Sequence, residues 1–263
     1  MTEIHPTAIL GENVKLGENV RIKPYTVING NVEIGDGCEI GPLVHITGWV
    51  KIGQNVKVHS FAAIGEPPQD YSFNGEDGLI EIGSNSVLRE GVTVHTPVNG
   101  ASGEKTIVGE SCFLMANSHV AHNAKLGKNV VLANGCLLAG YVIVEDYVFL
   151  SGNVAVHQHC RVGEYSIAGG LTKITQDVPP YSMAEGDPAK HYGINSIGLK
   201  RRNIEVEDRN IIKEAYKIFY DRSRTRTESL KILEETFPSN KYVKRIVEFI
   251  KSSKRGIIDS HYE

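Results

Sequence analysis

Four histidines stand where imidazole chemistry can be done: His95, His119, His122 and His157. Two of them lie three residues apart in "NSHVAHNAKLG", residues 117–127, and His157 sits in "AVHQHC". An imidazole titrates near neutrality, so such residues serve as a general base with a helper, as metal ligands, or as plain solvated side chains. The residue types leave all three readings open. The backbone that carries them has to discriminate.

That backbone is written in a repeat. An aliphatic residue recurs every six positions from Ile4 through Leu10, Leu16 and Ile22 to Ile64, eleven times without a miss. A small or β-branched residue follows four positions after each, as in Ala8, Val14, Val20 and Cys38. The phase returns at Ile82, Leu88 and Val94, and again from Val108 to Ala168. Period six matches neither the 3.6 of a helix nor the 2 of an amphipathic strand. It predicts a parallel β-helix of about eight coils, each of three short flat faces, with Gly and Asn at the corners. Two stretches break the count, residues 65–81 and 95–107, and read as loops ejected onto the binding face. The β-helix is expected over 1–190.

The remainder, 191–263, changes character. Residues 205–222 and 239–253 carry apolar residues at helical spacing, with "TESLKILEET" between them as a shorter helix. Overall charge is only −3, which gives no ground for a nucleic-acid partner. Residues 200–256, however, hold 16 Lys and Arg against 9 Asp and Glu, so a surface for an acidic partner is expected there. No apolar run reaches bilayer length and the start lacks a signal-peptide pattern, so the expected location is the cytoplasm. Cys38, Cys112, Cys136 and Cys160 all occupy the small inward slot of the repeat, which makes them buried plugs rather than a zinc or redox site. By the same phase His95, His119, His122 and His157 point outward, and on a bare prism only a cleft between neighbouring copies would enclose them.

Taken in order, "IHPTAI", "IGEPPQD", "NSHVAHN", "LAG", "AVHQ", "QDVPPY", "GINSIGLKRR" and "SSKRG" span the chain and resemble the UDP-N-acetylglucosamine acyltransferase family of lipid A biosynthesis. The resemblance implies a homotrimeric left-handed β-helix with a small helical C-terminal domain. It implies transfer of a 3-hydroxyacyl chain to the sugar 3-position, from the phosphopantetheine of acyl carrier protein, with no cofactor or metal of the enzyme's own. On it, His122 is the general base and the Gly140 N–H serves the oxyanion. Asp70, His95, His119, His157 and Gln158 match substrate-binding positions. Asn195, Arg201 and Arg202 match the region contacting the pantetheine arm and nucleotide phosphates, and Gly170 matches the chain-length ruler.

The chain departs from that family at three places. Asn123 stands where an aspartate usually orients the base, Tyr141 where a substrate-contacting histidine is usual, and Ser72 where a lysine is usual. Two alternatives follow. One is the same fold acting on a 3-amino UDP-sugar; the other is a zinc-dependent β-helical carbonic anhydrase, whose paired ligands are spaced five apart rather than three. Sister hexapeptide enzymes fit less well, because the repeat begins at Ile4 and the "GLKRR" end is present.

Overall fold

The computed structural model describes residues 1–261. The six-residue period becomes three parallel sheets of 11, 9 and 8 strands, the faces of a left-handed parallel β-helix. Each strand pairs with the one a full coil away, so Ile4 lies on Ile22 and Ile22 on Ile40. The large and small positions both turn inward: Val120, Ala124, Leu126, Val130, Leu132 and Cys136 are at most 3% exposed. Each such Val or Leu side chain contributes about 1.5–3 kcal/mol by leaving water. The prism is longer than eight coils. Its first sheet has eleven strands, of which only the last, Lys190–Ile194, is antiparallel.

The cysteines fill the inward slot and are free and buried. Burial pushes the Cys136 thiol up to about 12 and those of Cys112 and Cys160 to about 11, so none supplies a thiolate at neutral pH.

Corner residues sit in the left-handed region, as at Asn117 (φ 58°), Asn123 (φ 58°) and Asn153 (φ 56°). Asparagine and glycine were expected there, but Tyr141 (φ 60°), Tyr147 (φ 60°), His159 (φ 64°) and Tyr165 (φ 57°) share the slot. A side chain in this conformation costs roughly 1–2 kcal/mol. Stacking of successive corners offsets it, with ring centroids 4.8 Å apart for Tyr141 on His159 and for Tyr147 on Tyr165.

The ejected segments are shorter than 65–81 and 95–107. Strands Ala63–Glu66, Leu79–Ile82, Thr93–His95 and Lys105–Val108 take up their ends. The two loops lean on each other: Thr96 donates from its hydroxyl to the Gly78 carbonyl, and a Cβ at Gly100 would lie 2.1 Å from the Asp77 oxygen. That close approach is why glycine stands at 100.

The C-terminal part folds as α1 (Ser196–Arg201), α2 (Val206–Phe219), α3 (Arg226–Thr236) and α4 (Lys241–Lys251). The six-residue α1 escapes the periodicity because it is too short to show one. α3 opens on a Thr225–Glu228 capping box and α4 on the Asn240 side chain. These helices share a second core containing Leu199, Ile212, Phe219, Leu233, Val243 and Phe249. They are tied to the prism by Arg245 on Glu145, by the Arg161 guanidinium 4.1 Å over the Phe249 ring, and by the Ser253 hydroxyl donating to Asp177 at 2.7 Å. Among the described residues no helix is long and apolar enough to cross a membrane. Tyr262 and Glu263, the end of the expected helical segment, lie outside the described residues.

Candidate active site

A cavity of about 560 Å³ opens where the nine-stranded face turns toward the eight-stranded one. His119 reaches it from the His119–Val120 strand and His122 from the corner that follows. Asp70 and Gln69 hang over it from the first loop, and His95, Gly140 and Gln158 complete the polar wall. Leu137 and Ala155 stack above His119 and give the cavity an apolar floor.

His95 and His122 are only 6% and 5% exposed, contrary to outward side chains on a bare prism. Asp70 of the first loop lies against His122, as do Gly140 and Tyr141 of the next coil, and His119 packs on His95. His122 Nδ1 lies 2.9 Å from Asn123 Oδ1, and Asn123 is itself held by the second loop. Its Oδ1 accepts the Val98 N–H at 3.0 Å, its Nδ2 donates to the Val98 carbonyl at 3.0 Å, and its own N–H donates to Thr106 Oγ1 at 2.9 Å. This two-point pairing fixes which end of the amide faces the imidazole. Since Oδ1 only accepts, Nδ1 carries a proton, and in the neutral ring Nε2 presents the lone pair.

Nε2 lies 3.5 Å from Asp70 Oδ2. The Ser72 hydroxyl and N–H both donate to Asp70 Oδ1, at 2.7 and 2.8 Å, and these bonds, with the nearby His122, hold the Asp70 carboxyl below its usual range. A carboxylate is therefore poised beside the nitrogen that would become charged.

The other two imidazoles are kept neutral. Burial, followed by the proximity of His95 and His122, pushes His119 down to about 4, and its Nδ1 is 2.7 Å from Thr93 Oγ1. Burial likewise lowers His95, which meets the His119 ring edge-on at 4.7 Å. Among the described residues no group of three His, Cys, Asp or Glu side chains is arranged to hold a metal ion.

Gly140 lies directly over His122. A Cβ there would stand 2.4 Å from both imidazole Cε1 and Nε2, so any side chain at 140 would evict the ring. The Gly140 N–H has no backbone partner among the described residues.

The remaining sequence-expected residues fall in two places. Tyr141 packs edge-on against His122 at 5.3 Å and borders the cavity without lining it. His157 is exposed and turned away, its Nδ1 3.3 Å from the Arg255 guanidinium. Gly170 is exposed at another corner, where a Cβ would touch only the Gly152 carbonyl at 3.5 Å. Asn195, Arg201 and Arg202 line a separate cavity of about 620 Å³ on the eleven-stranded face, with Tyr147, Phe149 and Ile167. There the Asn195 side chain is spent on structure: it accepts from Gly198 N–H as the cap of α1 and donates to the Tyr165 carbonyl. The Arg202 guanidinium lies 4.5 Å over Tyr147. One chain therefore does not bring these three residues to His122. Sequence reasoning missed Thr93, Val98, Thr106 and Arg255, because their parts depend on contacts 17–98 residues away in sequence.

Comparison with known proteins gives the class first. Residues 31–66 and 105–140 match the bacterial transferase hexapeptide family, and residues 177–258 match the second domain of Udp N-acetylglucosamine O-acyltransferase. The chain is 43% identical over 98% of its length to the acyl-[acyl-carrier-protein]–UDP-N-acetylglucosamine O-acyltransferase of Thermodesulfovibrio yellowstonii, of which 99% is covered. The Myxococcus xanthus enzyme of the same name is 42% identical, over 98% of this chain and 99% of that one. The crystal structure of the Francisella novicida UDP-N-acetylglucosamine acyltransferase superposes with a TM-score of 0.94 at 35% identity, covering 98% of this chain and 95% of that one. The corresponding Bacteroides fragilis structure gives 0.94 at 38% identity, covering 97% and 99%. The chain belongs to the UDP-N-acetylglucosamine O-acyltransferase family and is an acyltransferase, which sets the carbonic anhydrase reading aside.

Proposed function

We propose that the protein transfers a 3-hydroxyacyl chain from acyl carrier protein to the 3-position of UDP-N-acetylglucosamine, with His122 as general base. The observation that carries this is the fixed tautomer: Nδ1 is committed to Asn123, and Nε2 faces the cavity beneath Gly140. The sugar oxygen attacks the thioester carbonyl as its proton passes to Nε2. The Gly140 N–H donates to the oxyanion. Collapse breaks the C–S bond, and the departing thiolate takes the proton back from the imidazolium. Asp70, 3.5 Å from Nε2, supplies the negative charge that an amide at 123 lacks. His119 and His95 stay neutral and so hydrogen-bond a sugar nucleotide without competing for the proton.

What a single chain leaves incomplete supports a homotrimer. Arg201 and Arg202 suit phosphate, since each guanidinium donates in pairs, yet they sit on a different face from His122. A second copy packed against the His122 corner would bring that face to it. The enzyme would act in the cytoplasm, where acyl carrier protein docks on the basic helical segment.

Product mass tests the reading. Purified protein given UDP-N-acetylglucosamine and a ladder of acyl-carrier-protein thioesters should yield a monoacylated sugar nucleotide, and absence of any such product from every donor removes it. Gly170→Met should move the preferred donor to shorter chains with an unchanged melting temperature, because the added side chain meets only one carbonyl. A chain-length profile identical to wild type places Gly170 outside the acyl groove. Arg201→Glu should raise the apparent KM for acyl carrier protein several-fold at low salt. The gap should close toward 1 M, where the screening length shrinks to about 3 Å. Donor kinetics indifferent to both charge and salt take Arg201 out of docking.

A further inference from the structure

The motif "SSKRG", residues 252–256, has no part in the chemistry at His122, yet the fold brings it to the edge of that site. After α4 the chain comes back to the prism and pairs with Asp177 of "QDVPPY". The Ser253 hydroxyl donates to Asp177 Oδ2 at 2.7 Å. The Asp177 N–H donates to the Gly256 carbonyl at 2.8 Å, and the Ile258 N–H donates to the Asp177 carbonyl at 3.1 Å. Asp177 is itself fully buried, its other carboxylate oxygen accepting the Arg161 N–H at 2.8 Å. The chain is thus pinned on both sides of Arg255, which gives the guanidinium a defined place. It donates to the Thr175 carbonyl at 3.3 Å, bonds to the Cys160 sulfur, and reaches His157 Nδ1 at 3.3 Å.

His157 Nδ1 has a second neighbour, the Gln158 carbonyl at 3.2 Å. A carbonyl only accepts and a guanidinium only donates, so the two contacts ask for opposite tautomers of one ring. The guanidinium is charged, and a charge-assisted bond is roughly twice as strong as a neutral one. With Arg255 in place, a neutral ring therefore keeps its lone pair on Nδ1 and its proton on Nε2. Without Arg255 the proton belongs on Nδ1, toward Gln158. The ring stands at the rim of the acyl-transfer cavity. His157 follows Val156 as Ala139 follows Leu138, and those two pair between neighbouring coils. Ala139 and Gln158 both line the cavity. A coil step is about 4.8 Å, so a bound sugar nucleotide is long enough to span from His122 to that rim.

We propose that Arg255 is a positioning residue of this acyltransferase. It sets the tautomer and pose of His157 so that the Nε2–H is offered as a hydrogen-bond donor to an oxygen of the sugar nucleotide at the rim. This rests on a sugar nucleotide being the acceptor. The C-terminal segment is thereby part of the site without touching the reacting atoms, and its seat on Asp177 governs acceptor affinity rather than the rate of the chemical step.

The test reads the ring nitrogens of His157 in full-length protein carrying isotope-labelled histidine, with His157→Gln marking which signals are its own. Spectra are taken at about pH 8.5, above the ordinary imidazole pKa of about 6.5. Wild type should show the proton on Nε2, and Arg255→Ala should show it moved to Nδ1. Arg255→Ala should also raise the apparent KM for UDP-N-acetylglucosamine about two- to tenfold, the range of one hydrogen bond. An unchanged kcat is expected beside it, the pattern of lost ground-state binding. In a His157→Ala background the same substitution should add nothing, because the two residues act as one unit. A wild-type proton on Nδ1 overturns the proposal, whatever the variant does. So does a proton that stays on Nε2 in Arg255→Ala, or an equal rise in KM with and without His157. The expected nitrogen signals in a protein that acylates no sugar nucleotide remove the acceptor reading, and with it the role of the Nε2–H, while the hold of Arg255 on the ring stands.

Discussion

His122→Ala is expected to lower acyl-transfer turnover by a factor of about 10² or more, the usual range for loss of a general base, with the fold intact. The backbone bonds of the corner do not involve the ring. The Tyr141 N–H still donates to the carbonyl of residue 122 at 3.1 Å, and Ala124 N–H still closes the turn on Ala121. Loss should appear in kcat and in kcat/KM alike, because the proton is taken only as the hydroxyl attacks. His157→Ala should be milder, since His157 is turned toward Arg255 and does not line the cavity. Turnover by the His122 variant within a few-fold of wild type, at an unchanged melting temperature, would falsify the base assignment.

Much of the frame that aims His122 is legible in the sequence. An inward aliphatic residue every six positions dictates coil, face and corner, and so puts residues 122 and 140 one coil apart before any coordinate is known. The burial of His122 is not legible that way. Part of it comes from Asp70 on the first ejected loop, and a period counts the residues of a loop without saying where it folds back. Tyr141 and Tyr147 show the same limit on a smaller scale. Their left-handed corner slots read as asparagine or glycine by local preference, and the tyrosines are tolerated because coils above and below supply rings to stack on. Local propensity is overridden where stacking repeats with the coil. The resemblance assigns Arg201 and Arg202 to phosphate contacts without saying on which face they stand, and within one chain they line a different face from His122.

Asn123→Asp installs the residue type that the family resemblance implies at this position and is nonetheless expected to reduce turnover on UDP-N-acetylglucosamine. The native side chain is used as an amide. Nδ2 donates to the Val98 carbonyl while Oδ1 takes both the Val98 N–H and the His122 Nδ1–H, all in a site 2% exposed. A carboxylate keeps the two accepted bonds and turns an acceptor oxygen on a carbonyl with no proton between them. Leaving that buried carbonyl unpaired costs about 1–3 kcal/mol, before repulsion is counted. The same negative charge would stabilise the imidazolium, but Asp70 already stands 3.5 Å from Nε2, so the gain is partial. The second loop should therefore loosen, seen as faster amide exchange at Val98 and a lower melting temperature. The acceptor decides how the loss divides. A hydroxyl needs its proton taken during attack, so it benefits from a stronger base. A 3-amino group is already nucleophilic when unprotonated and asks less of His122. Both acceptors should lose turnover in the variant, and the hydroxyl-to-amine ratio should rise relative to wild type. Equal losses on the two acceptors mean Asn123 acts through loop position alone. A gain on the hydroxyl substrate without loosening at Val98 means the amide clamp does not matter to this enzyme.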